Sequence, residues 1–259
     1  VPTLGNLHGG HQSLMQLARR SADRVVVSVF VNPTQFGLGE DYENYPRTLE
    51  SDRAKLMEVQ VDALFTPPVS EVYPNGHEAS THVEVPGISD ILCGAFRPGH
   101  FRGVATVVCK LLSMAQPDTA VFGEKDWQQL MVIRHMVEDL SLPVDIQGAP
   151  TVREDDGLAM SSRNAYLSDE ERRVAPHLFR IMELASTRVR DGERPYATIE
   201  QSCSRLLERE GFKPQYFVIR RGGDLMPPAP DDPVTGLRII AAAWLGSARL
   251  IDNLPISPP

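Results

Sequence analysis

The chain has 259 residues, of which 42% are hydrophobic and 23% charged, and its formal net charge is −8. This balance gives room for one large domain or two of moderate size and excludes a disordered, fibrous or repeat architecture. The acidic surface argues against nucleic acid as a partner, no apolar run reaches the roughly 20 residues of a membrane span, and Cys93, Cys109 and Cys203 fit neither a disulfide framework nor a zinc pattern, so a cytoplasmic protein acting on small molecules is expected.

The chain opens with TLGNLHGGH at residues 3–11. A helix is expected over 11–22, with Leu14, Leu17 and Ala18 on one face, followed by VVVSVFV at 25–31, an unbroken run typical of a strand covered on both faces. FVNPTQFG at 30–37 turns at Asn32-Pro33 and leaves Gln35 at the end of that strand. Helices over 47–61, 103–115 and 127–140 then alternate with strands over 63–66, 120–122 and 144–147. RPGHFRGV at 97–104 is a basic loop leading into a helix. Such alternation predicts a Rossmann-like, doubly wound parallel α/β domain, whose ligands lie where strands end and helices begin.

After Pro150 the pattern changes. Ser168 and Glu171 form a capping box ahead of a helix, and Pro176 should kink or break that helix. A helix near 199–209, strands over 215–219 and 237–243, and a proline- and glycine-rich loop over 222–236 complete a smaller α+β domain. The division expected is 1–152 for ligand binding and 153–259 for the smaller domain.

Three stretches carry chemistry. In TLGNLHGGH, glycines let the backbone approach a ligand, and the helix mouth directs unpaired N–H groups at an anion. His8 and His11 stand one turn apart and can donate to phosphate oxygens; the alternatives are that they only cap the helix or form a metal pair. FGEKDWQQL at 122–130 follows a strand, with Lys125 suited to a phosphate and Gln129 one turn further on, unless this is only a solvated turn. AMSSRNAYL at 159–167 gathers Ser161, Ser162 and Arg163, donors suited to a polyphosphate; a plain loop ahead of the helix is the other reading.

In series, PTLGNLHGGH, SVFVNPTQFG with EDYENYPRT, RPGHFRGVATVVCKL, FGEKDWQQL and GLAMSSRNAYL resemble the pantothenate synthetase (pantoate–β-alanine ligase) family of the nucleotidyltransferase superfamily. The resemblance implies that pantoate is adenylated by ATP, accompanied by Mg2+, and that β-alanine then displaces AMP. It implies an ATP cradle from Leu4, Gly5, Asn6, Leu7, His8, Gly9, Gly10 and His11, with His8, His11 and Lys125 catalytic and His11 the proton donor. Gly123, Glu124, Lys125 and Asp126 would meet the nucleotide, Val152 would line the adenine pocket, and Met160, Ser161, Ser162 and Arg163 would close over the triphosphate. Gln35 and Gln129, with Asn32 and Arg97, would hold pantoate and β-alanine. No resident metal site is expected, and the family forms homodimers.

Two departures stand out. Relatives carry a longer lead-in before Pro-Thr-x-Gly, so most of a first central strand is expected to be lacking, and the 220–233 connection is longer than usual. A cytidylyltransferase and a tRNA-binding relative are the competing readings; Gln35 and Gln129, as ligands for a small polar acid, oppose the first, and the acidic balance opposes the second.

Overall fold

The computed structural model describes residues 1–37, 40 and 42–256; Asp41 of the EDYENYPRT stretch lies outside the described residues. The chain divides into two compact units, Val1–Pro150 and Thr151–Pro259.

In the first unit, β1 (Pro2–Thr3), β2 (Val26–Val29) and β3 (Ala63–Phe65) form a parallel ladder in that order, and β4 (Thr119–Gly123) and β5 (Asp145–Ala149) form a second parallel pair. The strand expected to be lacking is represented by Pro2 and Thr3, which pair with Ser28 and Val29. β2 is shorter than 25–31 because Asn32-Pro33 ends the run: Pro33 has no N–H and starts a 3-10 turn, Pro33–Gln35. Helix α1 (Gly9–Ser21) buries Met15 and Ala18 against Val25, Val27, Val121 and Ala149. Helices α2 (Leu49–Glu58), α3 (Val69–Val72), α4 (Cys93–Phe96), α5 (His100–Ala115) and α6 (Trp127–Asp139) follow. Gln60 takes φ 55°, and α2 stops short of the expected 61. Gly103 lets α5 press against the turn after β2, where a Cβ would stand 2.2 Å from the Thr34 carbonyl oxygen.

In the second unit, the Ser168 hydroxyl accepts from the Glu171 N–H at 3.2 Å and the Glu171 carboxylate accepts from the Ser168 N–H at 2.8 Å, so the capping box starts α7 (Asp169–Val174). Pro176 separates it from α8 (His177–Arg190). Helix α9 (Tyr196–Arg209) and an antiparallel sheet of β6 (Lys213–Arg221), β7 (Leu237–Leu245) and β8 (Ala248–Pro255) complete the unit. Met182, Ile199, Cys203, Leu207, Ile219 and Ile239 fill its core. Strand β8 does not stand out in the sequence. Between β6 and β7 the expected loop contains one 3-10 turn, Val234–Gly236, and is drawn shut where the Gly222 N–H donates to the Gly236 carbonyl at 2.8 Å.

Candidate active site

His8 is the N-cap of α1. Its Nδ1 accepts from the Gly10 N–H at 3.2 Å, and the Nδ1 of His11 accepts from the His8 N–H at 3.3 Å. This is a capping box built from two imidazoles, whose ring centroids are 4.1 Å apart. An Nδ1 that accepts leaves the proton of a neutral ring on Nε2, across the ring from the capped backbone. Burial first, then the charges of His8, Lys125 and Lys55, push the His11 pKa down to about 3. At neutral pH His11 is therefore an uncharged Nε2–H donor. Capping, one of the alternatives in the sequence, uses the Nδ1 atom of each ring.

The loop ahead of α1 is held from beneath. The carboxylate of Asp52, fully buried on α2, accepts from the N–H groups of Asn6 at 2.9 Å and Leu7 at 2.7 Å. Gly5 leaves room for it, since a Cβ would meet Asp52 Oδ2 at 3.1 Å and Val29 Cγ1 at 3.0 Å. Lys55 donates from Nζ to the Leu7 carbonyl at 2.6 Å. The N–H groups of Asn6 and Leu7 thus serve the protein's own carboxylate, and Leu7 itself is buried in the core.

After β4, Glu124–Asp126 form a 3-10 turn that leads into α6. Lys125 lies 3.8 Å from Asp126 and its side chain is 19% exposed, so the chain that carries the charge is largely covered. A Cβ on Gly123 would stand 3.8 Å from Leu14 Cδ2, which puts this strand end beside α1. Gln129 is half-buried one turn further on. Its neighbour Gln128 is committed to the 88–93 segment, accepting from the Cys93 N–H at 3.0 Å and donating to the Ile88 and Ile91 carbonyls at 2.8 Å each.

Gln35 ends the turn after β2 and is half-buried. Asn32 lies fully buried behind it, donating to the Gln35 Oε1 at 3.2 Å and the Gly103 carbonyl at 3.1 Å and accepting from the Tyr73 hydroxyl at 2.8 Å. Arg97 binds Glu40 through two hydrogen bonds of 2.7 and 2.6 Å and reaches the Gln35 carbonyl at 3.3 Å. Burial alone would raise the Glu40 carboxyl, but the hydrogen bond and charge of Arg97 outweigh it and hold Glu40 below the usual range. His100 donates from Nδ1 to the Gln35 carbonyl at 2.8 Å, which leaves Nε2 to accept from Arg97 at 3.0 Å. Burial, then the Arg97 charge, lowers the His100 pKa to about 4. Asn32 and Arg97, expected beside the acid, both have polar contacts around Gln35.

In the second unit, the Met160 N–H donates to the Val152 carbonyl at 3.0 Å and Arg153 bridges to Ala159, so residues 152–160 form a tight hairpin that brings Val152 to the MSSR stretch. Ser161 caps the 3-10 turn Ser162–Tyr166 by accepting from the Arg163 N–H at 3.3 Å. Asn164 ties that turn to Glu154 at 3.2 Å and to the Ala159 carbonyl at 3.1 Å.

A parallel α/β unit with a histidine-capped helix mouth and a shielded lysine after β4 belongs to the class of doubly wound domains that work at the carboxyl ends of their strands. The family model for pantoate–β-alanine ligases matches residues 1–255. The chain is 58% identical over 257 residues to the pantothenate synthetase of Methylococcus capsulatus, covering 99% of this chain and 89% of that protein. It is 54% identical to the pantothenate synthetase of Azotobacter vinelandii, covering 99% and 90%. Among solved structures, a pantothenate synthetase from Thermus thermophilus superposes with a TM-score of 0.93 at 49% identity, covering 99% of this chain and 92% of that one. A pantoate–β-alanine ligase from Francisella tularensis, complexed with β,γ ATP and β-alanine, gives 0.82 at 35% identity, covering 98% and 88%. The chain belongs to the pantoate–β-alanine ligase family.

Proposed function

We propose that the protein is an AMP-forming ligase that joins pantoate to β-alanine, giving pantothenate. The observation that carries this reading is the match of the family model over 1–255, which spans every chemistry-bearing stretch. In the first step a pantoate carboxylate oxygen attacks the α-phosphorus of ATP, breaking the bond to pyrophosphate and leaving pantoyl adenylate. In the second, the β-alanine amine attacks the acyl carbon, AMP leaves and the nitrogen loses a proton. ATP enters as its magnesium complex, the metal riding on phosphate oxygens as part of the substrate.

Catalysis here is positioning and charge stabilisation. Leu4 to His11 form the cradle, with Nε2–H of His8 and His11 donating hydrogen bonds to phosphate oxygens; His11, uncharged at neutral pH, keeps its proton and acts as a hydrogen-bond donor, and Lys125 neutralises charge that develops in the triphosphate. Glu124 and Asp126 take the nucleotide with Gly123, while Val152 lines the adenine and Met160 to Arg163 contact the triphosphate. Gln35 and Gln129 hold the acid, with Asn32 and Arg97 beside them. The 1–152 part binds nucleotide and pantoate, and the smaller 153–259 part carries Met160 to Arg163. The enzyme acts as a cytoplasmic homodimer. Purified protein should exchange pyrophosphate into ATP only when pantoate is present, and form AMP in step with pantothenate when β-alanine is added; absence of pantoate-dependent exchange overturns the reading.

A further inference from the structure

We propose that Asp52 is a positioning residue of the nucleotide cradle, its buried carboxylate fixing the backbone from which His8 and His11 are presented, with Lys55 as its partner on the same helix. The inference rests on the reading above that this loop receives ATP.

Gly5 and Asn6 take φ 86° and 51° in succession, and the N–H groups of Asn6 and Leu7 that follow converge on one side of the loop. The sequence invites a phosphate there. The anion that they meet is Asp52, whose Oδ1 receives Leu7 and whose Oδ2 receives Asn6 and the Thr48 hydroxyl, the last at 3.2 Å. Lys55, one turn along α2, holds the Leu7 carbonyl, so Leu7 is gripped at both its N–H and its C=O. The next residue is His8, which begins α1. Gln12 ties the same helix back to α2 by donating to Glu58 at 3.0 Å.

A buried carboxylate is an expensive way to hold a loop, because an apolar contact would avoid the desolvation. What the carboxylate adds is direction: two short bonds fix the orientation of two peptide planes immediately before the catalytic pair. Misplacing a catalytic group by about 1 Å costs on the order of a hundredfold in rate, so rigidity at this point is a requirement of the chemistry as well as of the fold.

The test is Asp52→Asn, which keeps size but sets an NH2 group against one of the two N–H donors. Pantoate-dependent ATP–pyrophosphate exchange should fall on the order of 30- to 100-fold in kcat, with the ATP KM raised and the pantoate KM within twofold, since Gln35 and Gln129 are untouched. Ring signals of His8 and His11 in nitrogen–proton NMR spectra should shift while those of His135 and His177 stay. Should Asp52→Asn fail to fold, Lys55→Met, which leaves the buried carboxylate in place, should still lower kcat on the order of tenfold, and Lys55→Arg should recover part of it. A folded Asp52→Asn with kcat within twofold of the parent overturns the proposal. So does a loss spread equally over both substrates with unmoved histidine signals, which would mark a structural role only. A parent protein without exchange activity would instead overturn the functional reading, and the histidine signals would still test the positioning.

Discussion

Replacing Lys125 with Ala should separate catalysis from stability. The counter-charge of Asp126 is 3.8 Å away and 43% exposed; an ion pair of that kind contributes under about 1 kcal/mol to folding, so the midpoint of thermal unfolding should barely move. The effect on chemistry should be far larger. A unit charge about 4 Å from a phosphate oxygen is worth about 4 kcal/mol at an effective dielectric near 20, and losing one donor to developing charge typically costs about 3 kcal/mol, or on the order of 10²–10³ in rate. Pantoate-dependent ATP–pyrophosphate exchange should therefore drop by that factor with the pantoate KM unchanged. Because the Lys125 charge helps to depress His11, the same substitution should raise the His11 pKa, which NMR titration of the ring protons would follow. A folded Lys125→Ala enzyme with exchange within tenfold of the parent would refute the phosphate role.

His11 and His100 titrate near 3 and 4 in the folded protein against an ordinary value of 6.5, so between those values the unfolded chain binds more protons and stability falls as pH drops from about 6.5 towards 4; urea melts at pH 7 and 4.5 should show it, and His100→Gln should flatten the slope. Gly103→Ala gains about 1 kcal/mol of helix propensity but drives a Cβ to 2.2 Å from the Thr34 carbonyl oxygen. The overpacking costs about 1–3 kcal/mol, so calorimetry should find a net loss and kinetics a raised pantoate KM. Gln35→Ala should raise the pantoate KM most, and a change confined to the ATP constant would move Gln35 out of the acid site.

What the sequence made legible depended on how local the cause was. The β-branched run of β2, the amphipathic face of α1 and the Ser168–Glu171 box are written in neighbouring residues, and all three stand in the structure. Helices α3 and α4 are single turns held by packing, and β8 is a strand because β7 lies beside it; neither cause is visible in a window of residues. The same limit applies at the site. TLGNLHGGH and FGEKD announce themselves by composition, but Asp52 looks like any acidic residue in a first helical turn until it is seen beneath Asn6 and Leu7 across 46 and 45 positions of chain. Gln128 and Gln129 are indistinguishable in the sequence, yet one is locked by three hydrogen bonds to the 88–93 segment. Asn32 and Arg97 stood out in the sequence, but their partners Tyr73, Gly103, Glu40 and His100 did not, because these come from elsewhere in the chain.

The imidazole cap at the head of α1 has a consequence outside the reaction itself. A neutral imidazole has one lone pair, and in both His8 and His11 that pair sits on an Nδ1 already turned to a backbone N–H. Two histidines one turn apart on a helix would otherwise be a ready chelate for zinc, nickel or copper. With those lone pairs turned to the start of the helix, neither Nδ1 is offered to such an ion. The bonds that hold the helix start in shape therefore also occupy the nitrogen atoms that a chelated ion would need.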